Sequence, residues 1–76
     1  MNTNPTLKDI VLRIKELTHK TGLARSTIYD KLSPSSKRFD ATFPKPIRLG
    51  MSSVGWLESE VDAWIASRAL ARNAQA

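Results

Sequence analysis

The tetrapeptide Thr21-Gly22-Leu23-Ala24 constrains this chain more than any other feature. It separates two short segments of helical periodicity. Before it, Ile14, Leu17 and Thr18 stand at i, i+3 and i+4, while Lys15, Glu16, His19 and Lys20 take the other side. That pattern predicts a helix over about 14–21. Gly22 follows directly, and a glycine just past a periodic stripe ends a helix because it enters the left-handed region without a Cβ clash. After the turn, Ile28 and Leu32 form a buried i, i+4 pair; Tyr29 and Lys31 flank it, and Ser26, Thr27 and Asp30 face away. A second helix is predicted over about 25–33, ended by Pro34, which pushes the residue before it out of the helical region. Two short helices across so short a turn have the spacing of a helix-turn-helix.

The rest of the chain supplies what could pack against that pair. Residues 1–6 carry no periodicity and read as a loose start. Leu7, Ile10, Val11 and Leu12 mix with Lys8 and Asp9, and the segment fits either a short strand or the approach to a helix. Residues 33–46 hold three of the four prolines and read as a loop, with Phe39 and Phe43 expected to pin it to the body. Ile47-Arg48-Leu49 and Val54-Gly55-Trp56 are β-prone runs around Gly50-Met51-Ser52-Ser53, which predicts a hairpin. Ile47 and Leu49 alternate with Arg48, so Arg48 is expected opposite the core. Leu57, Val61, Trp64 and Ile65 then repeat at i, i+4, i+7 and i+8. Glu58, Glu60 and Asp62 suit the start of that helix and Arg68 and Arg72 its end. The helix is predicted over about 58–71, with 73–76 fraying. Trp56 and Trp64 are expected in the core.

The chain has 76 residues, enough for one small domain, taken here as 1–76. Such a domain buries only about 60% of the surface its unfolded form exposes. With no cysteine and one histidine, it can build neither a disulfide framework nor a thiolate or multi-histidine metal site. No cofactor, metal or small-molecule substrate is expected. No apolar run approaches the ~18 residues of a membrane span, and no signal peptide opens the chain, so a cytoplasmic location is expected. His19 has no evident nucleophile or orienting acid, and there is no Gly-rich phosphate loop, which argues against an enzyme. Ten of the twelve basic side chains and only four of the seven acidic ones precede Met51. A small domain so lopsided in charge often meets a polyanion.

A helix-turn-helix places the first turn of its second helix against a major groove, so Arg25, Ser26 and Thr27 are candidate base and phosphate readers. The free N–H groups there also suit a phosphate. Tyr29 is a candidate phosphate contact, and Lys31 joins the set from the flank. A hairpin after the helix pair is a wing, whose basic residues can follow the backbone or reach a minor groove. Lys45 and Arg48 suit that role, with Ser52 and Ser53 at the tip. Lys15 and Lys20 read as general positive field, and His19 as a solvated helix residue.

The stretch from Arg13 to Arg72 resembles the AlpA family of phage and prophage regulators. The matching pieces are Leu12-Arg13-Ile14-Lys15-Glu16, Thr21-Gly22-Leu23-Ala24-Arg25-Ser26-Thr27-Ile28-Tyr29, Phe43-Pro44-Lys45-Pro46-Ile47-Arg48-Leu49-Gly50, and Val54-Gly55-Trp56-Leu57-Glu58-Ser59-Glu60-Val61-Asp62-Ala63-Trp64-Ile65. The resemblance implies a winged helix-turn-helix, mainly α with a small β-hairpin, related to excisionases and to the DNA-binding head of MerR-type regulators. It implies sequence-specific binding of double-stranded DNA and control of transcription on a mobile element. By the same likeness Arg25, Ser26, Thr27 and Tyr29 match the recognition helix, and Lys45, Arg48 and Ser52–Ser53 match the wing.

Three positions depart from the family pattern. Ala24 replaces a common serine and removes a side-chain N-cap, at a cost of roughly 0.5–2 kcal/mol. Asp30 stands where a basic residue is common; it either accepts from a cytosine amine or repels a phosphate. The 33–42 link is long, and its Lys37 and Arg38 either contact the backbone or keep the loop solvated. Two other functions stay open: an excisionase-type factor that bends DNA for an integrase, and a protein-interaction module that inhibits another regulator. The last would bind duplex no better than charge alone allows. A module this small buries only ~600–1,000 Å² on DNA, so self-association on adjacent sites is expected.

Overall fold

Gly22 takes the left-handed conformation (φ 75°), and its N–H donates to the Thr18 carbonyl at 2.8 Å. The first helix therefore stops where the glycine predicts. The structure is a computed structural model that describes residues 9–75, with side chains through Arg72. The expected loose start at 1–6 lies outside the described residues. The elements, in order, are β1 (Val11–Leu12), α1 (Ile14–Thr21), α2 (Arg25–Leu32), β2 (Ile47–Arg48), β3 (Val54–Leu57) and α3 (Glu58–Gln75). This is a winged helix-turn-helix: mainly α, with a small antiparallel sheet.

The ambiguous segment before α1 is a strand. β3 is central, with β1 on one side and β2 on the other. Leu12 stands opposite Trp56 and Val11 opposite Leu57, while Ile47 and Arg48 stand opposite Gly55 and Val54. Glu58 N–H donates to the Ile10 carbonyl at 2.8 Å, which carries the ladder to the start of α3. Asp9 adds to that junction. Its carboxylate accepts from the Ser59 hydroxyl at 2.6 Å and the Ser59 N–H at 3.2 Å, so a residue 50 positions away caps α3. The Ser59 hydroxyl is the main reason the Asp9 carboxyl titrates below its ordinary range.

The core gathers one or two residues from most elements. Leu12, Leu17, Ile28, Phe43, Trp56 and Val61 are buried, with Ile14, Leu23, Leu32, Trp64 and Ile65 packed around them. Trp56 is wholly buried, and its indole N–H meets no acceptor among the described residues. Phe43 meets the Trp64 ring edge-on, with centroids 4.9 Å apart. Phe43 thus pins the loop as expected, whereas Phe39 stays 42% exposed and lines an open groove with Leu32 and Phe43. Leu49 also departs from the alternation that put it on the core side. β2 ends at Arg48, so Leu49 belongs to the turn and is half exposed. α3 continues to Gln75, beyond the end predicted at residue 71.

Lys20 does more than add positive charge. Its ammonium lies 2.8 Å from Asp62 and 2.9 Å from Glu58, tying the end of α1 to the start of α3. The hydrogen bond to Asp62, followed by that to Glu58, holds the ammonium above its ordinary pKa.

Two substitutions test this packing. A Cβ on Gly55 would press into the Val11 side chain and lie 3.1 Å from both the Leu12 carbonyl and a Leu49 methyl. Gly55→Ala is expected to destabilise the fold by about 1–3 kcal/mol in urea unfolding. Ala24 has the extended N-cap geometry (φ −69°, ψ 155°) but no capping side chain. Ala24→Ser is expected to add roughly 0.5–2 kcal/mol in the same assay, and an unchanged midpoint would contradict the missing-cap account.

Candidate nucleic-acid interface

The turn before α2 is held by one hydroxyl. Thr21 Oγ1 donates to the Leu17 carbonyl at 2.8 Å and accepts from the Leu23 N–H at 3.2 Å. Leu23 packs on the core, and α2 starts at Arg25 with no side-chain cap. Its first helical bond, from Ile28 N–H to the Ala24 carbonyl, spans 3.1 Å. The donors of the first turn thus precede the helical ladder, the arrangement that attracts a phosphate.

The sequence-derived residues on α2 fall into two groups. Arg25, Ser26 and Tyr29 are exposed, while Thr27 is partly covered. With Ile28 fully buried beneath them, these positions form the outward side of the helix. Lys31 lies on the flank. Its ammonium sits over the Trp64 ring, 5.7 Å from the centroid, so part of its role is to cover α3.

Asp30, also on the outward side, is not alone. Arg38 approaches it at 3.5 Å from the 33–42 loop. The loop is brought back by a bond from Asp40 N–H to the Lys31 carbonyl at 2.9 Å. Both partners of the pair are largely solvated, so it is worth little to stability. It does place a cation beside the one carboxylate of α2. The sequence leaves Arg38 between backbone contact and loop solvation, and this pairing is missed there. The opposite charges offer a signal, but only the fold of the loop brings them together.

Asp40 organises the join between α2 and the wing. Its carboxylate accepts from the Thr42 N–H at 2.9 Å, the Thr42 hydroxyl and the Trp64 indole N–H at 3.3 Å. The Thr42 hydroxyl bond is the largest cause of its lowered pKa, with smaller help from the Thr42 N–H, Trp64 and the Lys31 charge. Around it, Lys31, Leu32, Phe39, Phe43, Lys45 and Pro46 line a shallow groove of about 260 Å³. Lys31 and Lys45, predicted from separate elements, therefore share one groove.

On the wing, Arg48 is exposed, as its place in the strand requires. Leu49 and Gly50 N–H groups both donate to the Ser53 carbonyl, at 2.7 and 3.3 Å, closing the hairpin. Ser52 is exposed and Ser53 partly covered. Beside them at the tip, the large apolar side chain of Met51 is 95% exposed. Sequence reasoning misses it because a methionine in a turn carries no periodic signal.

Comparisons with known proteins relate this sequence to one family. Residues 10–69 match the family model described as "Prophage CP4-57 regulatory protein (AlpA)". The chain is 55% identical over 58 residues to the "DNA-binding transcriptional activator AlpA" of Escherichia coli (strain K12), covering 76% of this chain and 83% of that protein. It is 43% identical over 61 residues to the "Uncharacterized protein ORF88" of Enterobacteria phage P4, covering 80% of this chain and 62% of that protein. No solved structure matches.

The Asp40 junction gives a pH test. A carboxyl whose pKa is depressed on folding adds stability above its unfolded pKa and loses it as pH falls through the folded value. The melting temperature of the native chain should exceed that of Asp40→Asn near pH 6, and the gap should close as pH falls below about 4. A gap independent of pH would show that the carboxylate charge plays no part.

Proposed function

The chain belongs to the AlpA family of prophage regulatory proteins, and from that premise we propose that it binds a specific duplex sequence and regulates transcription on a phage or prophage. The observation that carries this reading is the outward side of α2. Arg25, Ser26 and Tyr29 stand exposed at the start of the second helix of a helix-turn-helix, above a first turn without a side-chain cap.

In this reading α2 enters a major groove. Arg25 supplies the fork geometry suited to a guanine edge, and Ser26 and Thr27 supply short polar contacts. Tyr29 meets a phosphate from the same side. Lys45 and Arg48 hold the adjacent backbone, and Lys31 adds to the field from the groove it shares with Lys45. Ser52 and Ser53 lie at the wing tip, within reach of the same strand. Arg38 against Asp30 lowers the repulsion that a carboxylate on this helix would impose on phosphates. The relative named as a DNA-binding transcriptional activator supports duplex DNA as partner and a binding rather than a catalytic role. No described helix is long and apolar enough to cross a membrane. A footprint this small favours two or more copies on adjacent sites.

The test compares two cations. Arg25→Ala should weaken binding to the cognate duplex by about 1–3 kcal/mol and relax the sequence preference, without shifting the unfolding midpoint. Lys20→Ala should do the reverse, since Lys20 is engaged with Glu58 and Asp62. Equal losses of affinity in a fluorescence titration would refute the assignment of α2 as the reading helix.

A further inference from the structure

Met51 is a large apolar side chain with almost no protein around it. It is 95% exposed, at the end of a hairpin whose neighbouring Leu49 and Val54 are also exposed. The residues on either side, Gly50 and Ser52, are small. The tip is therefore narrow, with one protruding thioether chain. The surroundings indicate what it meets. No acidic residue occurs between Ala41 and Leu57, whereas Lys45 and Arg48 both do. The Arg48 guanidinium approaches the Met51 carbonyl at 3.5 Å, so a cation stays close to the apolar point. Behind it the hairpin is anchored, because β3 is paired on both sides and Trp56 is wholly buried.

A thin tip that joins a cation to an apolar side chain suits a minor groove. That groove is about 6 Å wide in B-form DNA, and its negative potential draws arginine. Proteins that deform DNA from this side push Phe, Leu, Ile, Met or Pro between neighbouring base pairs. Resting on the DNA-binding reading above, we propose that Met51 is a wedge that enters a base step in the minor groove beside the α2 site and kinks the duplex. Arg48 holds the flanking backbone, and the unbranched methionine adapts its shape to the opened step. The chain then bends its site as well as reading it. The bend brings flanking DNA toward the protein and assists a second copy on the adjacent site.

The test uses the intact chain and a duplex of about 40 bp recovered by selection from a randomised pool, end-labelled with a donor–acceptor pair. Energy transfer reports the bend and titration reports affinity. The native chain should bend this duplex by about 20–90°. Met51→Ser should bind it within about tenfold of the native affinity but leave it straight. Met51→Leu should restore the bend. The side chain makes so little contact that the melting temperatures of all three should coincide. A straight duplex under the native chain, or an unchanged bend under Met51→Ser, overturns the wedge. An unchanged bend with fewer copies bound per duplex also overturns it and makes the tip a contact between proteins. If the pool yields no enriched sequence, the DNA-binding reading itself falls, an outcome distinct from a bound but unbent site.

Discussion

The burial of Trp56 at the centre of β3 is the interaction on which the rest of this small structure depends. A 76-residue chain has little core to spend. Here one indole ring fills the space where β1, α1, α2 and α3 converge, together with Leu12, Leu17, Ile28, Phe43 and Val61. Gly55, immediately before it, must lack a side chain for β1 to lie close enough to cover the ring. The last helix begins two residues after it, so the orientation of β3 sets the direction of α3. The wing is the other end of the same strand. Whatever the wing touches is therefore mechanically coupled to the core.

Charge is sorted around this core by contact rather than by segment alone. The acidic start of α3 is occupied by Lys20, and the single carboxylate of α2 is faced by Arg38. Asp40 is turned inward on Thr42 and Trp64. Three of the seven acidic residues thus face a cation, and Asp9, Glu16 and Asp40 accept hydrogen bonds from backbone or neutral side-chain donors. Arg25, Lys45 and Arg48 take no part in those ion pairs. Under the proposed reading, a duplex approaching α2 and the wing would meet cations outside those ion pairs, and this matters because phosphate neutralisation supplies much of the affinity of a small module.

The 33–42 loop also has a structural meaning that its composition hides. It looks like a solvated connector, yet it and the residue that follows carry three devices: the Arg38 contact, the Asp40 hub and the Phe43 anchor. Together they attach the wing's base to the C-terminal half of α2, where Lys31 and Lys45 share a groove. The helix that would read bases and the hairpin that would grip the backbone are thus linked through packed side chains, and a shift in one is felt by the other.

Local chemistry along the chain is enough for both helices of the helix-turn-helix, the glycine that separates them, the wing and the start of α3. These depend on periodicity, capping and turn residues, which act over a few positions. The outward placement of Arg25, Ser26 and Arg48 follows from the same rules. That residues 11–12 form a strand depends instead on the assembled fold, because a two-residue strand exists only when β3 lies beside it. Likewise, nothing near Lys20 foretells Glu58 and Asp62, 38 and 42 positions on, and nothing near Asp9 foretells Ser59. Phe39 and Leu49 follow the local apolar pattern and still end about half exposed. Local patterns specify which face a side chain can show; the presence of a partner across the fold decides whether that face is covered.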